Sequence, residues 1–101
     1  MSDPDPKFAV LLHASGLSLV DPEREQPSGG GAYVWRGVRA KEPGKAFEEA
    51  KALLLEEEPF LEEISNAPEE IRFQAEEIHR LEEDAELEEA DSDYLFYTEE
   101  D

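Results

Sequence analysis

His13 and His79 are the two histidines of this chain, which has no cysteine, and they set narrow limits on the chemistry it can do. Without cysteine there is no thiolate nucleophile, no zinc ribbon and no disulfide framework, and a reducing cytoplasm is the expected setting. Glu76 and His79 have the Glu-x-x-His spacing of a di-iron half-motif. A complete site of that kind needs a second copy and further glutamates projecting from four helices, and a single copy on a segment read below as a strand does not supply them. Asp91, Ser92 and Asp93, with Glu99, Glu100 and Asp101, offer oxygen ligands but lack the turn glycine and ligand spacing of a calcium loop. Pro27 to Gly31, with its three glycines, has the composition of a phosphate-cradling loop, yet no Gly-Lys-Ser/Thr and no opening helix follow it. No nucleophile elbow or triad order appears. Among 28 acidic residues no catalytic carboxylate pair stands out. No metal and no cofactor are expected, no catalytic residue is assigned, and enzyme is the poorer reading.

The sharper pattern is basic and aromatic. Arg36, Arg39, Lys41 and Lys45 are four of the nine cations and lie close behind Tyr33 and Trp35. Such a cluster suits an anion or an acidic surface, with Trp35 as the anchor residue that interfaces favour. It equally suits the protein's own carboxylates, which is the commoner use of a charge run. Tyr33, Trp35, Arg36, Arg39 and His13 are therefore the candidate binding residues.

Charge distribution points to a partner. Residues 1 to 55 hold eight acids and seven bases, whereas residues 56 to 101 hold twenty acids and two bases, so nearly all of the net −19 belongs to the second half. A field of that sign repels nucleic acid and anionic membrane and speeds encounter with basic proteins. No apolar run approaches the roughly 20 residues of a membrane span, and the Pro- and Asp-containing start does not have the pattern of an export signal.

These residues must be positioned by a small number of elements. A chain of 101 residues fits one domain. After a leader over residues 1 to 7, Phe8 to Ala14 is apolar on both alternating sets, as in an interior strand. Gly16 marks a bulge beyond which Leu17 to Val20 continue. Residues 21 to 31 read as a long hairpin loop. Ala32 to Ala40 is rich in β formers, and a bulge at Arg36-Gly37 is expected to keep the guanidinium out of the core and to bring Val38 and Ala40 onto the face of Tyr33 and Trp35, because an unpaired buried charge is costly. Pro43 opens a helix whose stripe is Phe47, Ala50, Leu53 and Leu54. Pro59 ends or kinks that helix near Glu58 and starts a short second one.

Residues 69 to 81 fit either a strand or a helix by period. A third strand would widen the sheet that the helix must cover, so a strand over Ile71 to Ile78 is expected. An acidic segment over 82 to 101 follows, irregular or frayed until an edge strand at 94 to 98. The fold class is α+β, an antiparallel sheet of three to four strands in the order β-β-α-β-β, with one main helix packed on one face.

The run Gly37 to Leu53, G-V-R-A-K-E-P-G-K-A-F-E-E-A-K-A-L, resembles the strand-to-helix passage of HicB-type antitoxins and of small bacterial ββαβ proteins. The aspartate, proline and glycine turn of the antitoxin sheet has no counterpart in residues 21 to 31, and no functional residue is carried across. The resulting expectation is a non-catalytic interaction module that binds a basic protein, in the manner of an antitoxin, an immunity protein or a nucleic-acid mimic. The alternative is a small-ligand or catalytic domain built on the Trp35, Arg36 and Arg39 strand face. The chain is expected to be a monomer, or a homodimer formed through a sheet edge or through the face carrying Tyr33, Trp35 and Phe73.

Overall fold

A computed structural model describes residues 4 to 20 and 27 to 99. Four strands, β1 (Lys7–Leu19), β2 (Ser28–Arg39), β3 (Arg72–Arg80) and β4 (Leu95–Thr98), form one antiparallel sheet in the order β3-β1-β2-β4. The main helix, α1 (Pro43–Leu54), packs on it, followed by the short α2 (Glu58–Glu62) and, in the acidic segment, α3 (Leu87–Ala90). The α+β class and the four-strand reading hold. Among the described residues no helix is long and apolar enough to cross a membrane.

β1 is the centre of the sheet because it is apolar on both sides. Phe8, Val10, Leu12 and Ala14 face α1 and are buried. Strand alternation would then send Leu17 and Leu19 to the opposite face. The register shift between Ala14 and Leu17, with Gly16 at φ +69°, returns both to the core. Asn66 braces this bulge, accepting from the Ser18 N–H (2.6 Å) and donating to the Gly16 carbonyl (3.0 Å). β3 carries a second irregularity, where Leu11 and Leu12 pair with Glu77 and Ala75, so that Glu76 is extra. Phe73, Ala75 and Ile78 thereby share the core face, packed against the buried cluster.

On the helix side, Ala46, Ala50 and Leu54 of α1, Phe60 of α2, and Ile64 and Ile71 close over Ala32, Val34 and Val38. Pro43 stands at the start of α1 and Pro59 at the start of α2, where a missing N–H costs nothing. α1 ends at Leu54, earlier than the expected Glu58, and Leu53 is 42% exposed instead of joining the stripe. The small Ala46 and Ala50 let the helix sit close to the sheet, which puts the buried line at positions 46, 50 and 54.

Two further expectations are corrected. The glycine run is not loop, since Ser28 to Gly31 belong to β2, pairing with Leu19, Ser18 and Leu17 on one side and, from Gly30, with Tyr97 and Thr98 on the other. The rest of the expected loop, residues 21 to 26, lies outside the described residues. The expected bulge at Arg36-Gly37 is absent from the β1–β2 register, which runs unbroken from Lys7↔Arg39 to Ala14↔Ala32. Arg36 therefore faces the core side with Val34 and Val38, and Tyr33 and Trp35 face the other. Phe73 is likewise on the helix side, opposite Tyr33 and Trp35.

Candidate functional site

Arg36 is 8% exposed and is matched by partners. Its Nε and Nη2 donate to the two oxygens of Glu57 at 2.8 and 2.5 Å, and its Nη1 donates to the carbonyls of Trp35 and Ser92 at 2.7 Å each. The Tyr94 hydroxyl also donates to Glu57, while its ring lies 5.4 Å from the guanidinium carbon. A forked pair with additional acceptors is the arrangement that makes a buried guanidinium tolerable. The hydrogen bond from Arg36 holds the Glu57 carboxyl below its usual range, against burial, and the bond to Glu57 raises the guanidinium further. Burial first, then the bond to Glu57, pushes Tyr94 up to about 12. Four of the five guanidinium N–H groups are engaged internally, which is the bonding of a structural cation.

The opposite sheet face brings the other candidates together. His13 pairs with Tyr33 across β1 and β2, and their rings stack at 4.4 Å and 10°. Tyr97 of β4 joins them at 5.6 Å from Tyr33, its hydroxyl 2.6 Å from His13 Nε2. On the far side, His13 Nδ1 faces Glu76 at 3.3 Å. With the proton on Nδ1, a chain runs from the Glu76 carboxylate through the imidazole to the Tyr97 hydroxyl. Burial, followed by the neighbouring Tyr33 and the carboxylates of Glu99 and Glu76, raises Tyr97 above an ordinary phenol. That hydroxyl stays protonated, as a donor rather than a nucleophile.

One row along, Trp35 stacks with His79 at 5.8 Å and 23°. The two rings lean together beside Ala9 and Gly37, positions with little or no side chain between them. A Cβ at Gly37 would overlap the Leu87 carbonyl, so the glycine is what lets α3 lie against the sheet there. Asp91 accepts from the Gly37 N–H (2.9 Å), and Ser92 exchanges hydrogen bonds with the Trp35 backbone, its Oγ accepting at 2.9 Å and its N–H donating at 3.1 Å. The acidic segment thus continues the sheet edge below β4 and folds over one end of the face. At the other end the His13 side chain is 15% exposed among Tyr33, Tyr97 and Glu76, the two tyrosines are half-buried, and Leu95 is 68% exposed.

Arg39 is exposed at the end of β2 and donates to the Asp5 carbonyl at 2.9 Å. With Lys41 and Lys45 it lines a separate small cleft that also contains Asp5 and Glu49. Of the five sequence candidates, then, His13, Tyr33 and Trp35 share one face, Arg39 lies beyond them and Arg36 lies behind the sheet. Sequence reasoning missed Tyr97, Glu76 and His79 as members of that face. Glu76 and His79 were visible as a spacing, but only the strand register turns them toward His13 and Trp35.

Comparison with protein-family models, with curated proteins and with solved structures finds no significant match to this chain.

Proposed function

We propose that this chain is a non-catalytic recognition module, of the antitoxin, immunity-protein or nucleic-acid-mimic kind, that binds a basic protein through the sheet face opposite α1. One observation carries the reading: the aromatic set His13, Tyr33, Trp35 and Tyr97 lies on the face that α1 leaves free, with Glu76 and Glu77 on one side and Glu86 and Glu89 on another. Aromatic anchors supply contact area at low entropic cost, and the surrounding carboxylates within a net −19 steer a cationic surface toward them. Immobilised protein should retain a basic partner that elutes as salt rises from about 0.1 to 1 M, where the screening length falls from roughly 10 to 3 Å. Retention should drop for Trp35→Ala and for Tyr33→Ala, and persist for Leu53→Ala on the helix side. A partner indifferent to salt and to both aromatic changes, or no retained protein at all, contradicts the reading.

The Glu76, His13 and Tyr97 chain supports a second reading, a small-ligand or catalytic site on the same face, now without Arg36. An NMR ligand screen distinguishes it: hits that shift His13, Tyr33 and Tyr97 and vanish in His13→Ala favour it, and hits that ignore His13→Ala dispose of it.

A further inference from the structure

Where the acidic segment crosses the sheet it leaves a groove of about 540 Å³. Its floor is Trp35, His79 and Ala9, its apolar wall includes Leu81, and Glu86 and Glu89 stand on its rim. The groove is held open by contacts that need no occupant. The Lys7 ammonium donates to the carbonyls of Glu83 (2.7 Å) and Ala85 (2.5 Å), and the Leu81 N–H donates to the Lys7 carbonyl (2.8 Å). Together with the Asp91 and Ser92 bonds to β2, these fix both ends of the wall, so binding there does not have to order it. Glu86 and Glu89 are exposed and form no ion pair with a cation among the described residues. The chargeable group on the floor, His79, has Glu77 beside it at 3.4 Å.

An indole that shares the lining of one groove with two carboxylates matches one side chain better than others. The guanidinium is flat, weakly hydrated and always charged, so it stacks on indole while its N–H groups reach carboxylate oxygens. An ammonium satisfies the charge but forgoes the stacking and the fork. We infer that this groove seats one arginine side chain of the partner, its guanidinium over Trp35 and its outer nitrogens toward Glu86 and Glu89. The inference rests on the reading that this face recognises a basic protein and names the residue type it would read.

Trp35 is the sole tryptophan, so its emission reports the groove directly. Hexa-arginine and hexalysine peptides are titrated into the full chain at about 0.1 M salt. Hexa-arginine should change Trp35 emission saturably and bind several-fold more tightly than hexalysine. The double variant Glu86→Gln/Glu89→Gln should weaken it by about tenfold, which is roughly 1.4 kcal/mol. Glu62→Gln/Glu63→Gln, which removes the same charge from exposed positions at the end of α2, should cost less than about threefold, as diffuse surface charge does. Equal losses from the two double variants, or equal affinity for the two peptides, overturn the arginine groove and leave the basic-partner reading standing. No binding of either peptide to the unaltered chain overturns both.

Discussion

Arg36 occupies a strand position between Val34 and Val38 that an apolar core would ordinarily give to an aliphatic residue, and its charge is met by one carboxylate, Glu57, with the carbonyls of Trp35 and Ser92 taking further N–H groups. Removing that carboxylate strands the charge of a buried side chain. Glu57→Gln should therefore destabilise the fold by about 2 to 4 kcal/mol in urea denaturation, somewhat below the figure for a fully buried pair because Glu57 is 27% exposed. Replacing both partners with Arg36→Met/Glu57→Leu should cost less than Glu57→Gln alone. The same pair sets an acid limit. Because the folded state depresses Glu57, its contribution is complete above the ordinary carboxylate value of about 4.3 and is lost as pH falls through the lower folded value. Stability measured downward from about pH 5 should fall more steeply for the native chain than for Glu57→Gln; parallel slopes would show that Arg36 and Glu57 are not coupled. The pairing was not legible in the sequence. Arg36 and Glu57 are 21 positions apart, and assuming the charge unpaired is what made a bulge look cheaper than burial. His13 and Trp35 are legible because the chain has two histidines and one tryptophan, and Tyr33 because it alternates with Trp35 on one strand. Tyr97 was not, because only the register of β4 on β2 brings it to His13.

The elements themselves are mostly readable, and two of the hard stretches, in β2 and β3, turn on strand parity, which a bulge changes. In β3 the apolar residues run 71, 73, 75, 78, which mixes the strand period with a helical step of three, and Glu76 as the extra residue resolves it. In β2 the bulge was expected where none exists. Gly16 is legible because glycine marks a position that takes positive φ, here +69°. In α1 the expected Phe47, Ala50 and Leu54 do pack on the core, but the exposed Leu53 gives way to Ala46, because alanines carry little weight in a hydrophobic pattern yet set the closest approach. Two substitutions test this: Leu54→Ala should cost about 2 to 5 kcal/mol, whereas Leu53→Ala should stay within about 0.5 kcal/mol. Similar losses at both sites would mean that α1 is rotated on the sheet. Gly37→Ala should lift α3 from the face, raising amide exchange in residues 87 to 92 while β1 stays protected. Unchanged exchange there would mean that α3 does not depend on that close approach.

Charge acts at the scale of the whole molecule. A net −19 on 101 residues opposes compaction, and 18 of those charges arise in residues 56 to 101, which include β3, α3 and β4. Screening should therefore raise the melting temperature between about 0.01 and 0.3 M sodium chloride, a direction opposite to that expected if surface ion pairs dominated. On the proposed function, the acidity that burdens the isolated fold would also draw a cationic surface to the face carrying His13, Tyr33, Trp35 and Tyr97, so stability and recognition would place opposite demands on the same carboxylates. Placing that recognition on the sheet face, and not on the helix side, where Glu48, Glu49, Glu62 and Glu63 are also exposed, is the claim with the most at stake. The most direct test is amide NMR of the uniformly labelled full chain with and without the captured basic partner. Shifts should concentrate on Leu11, His13, Tyr33, Trp35, His79 and Tyr97, with α1 and α2 unmoved. Shifts confined to α1 and α2, with the aromatic face silent, would contradict it.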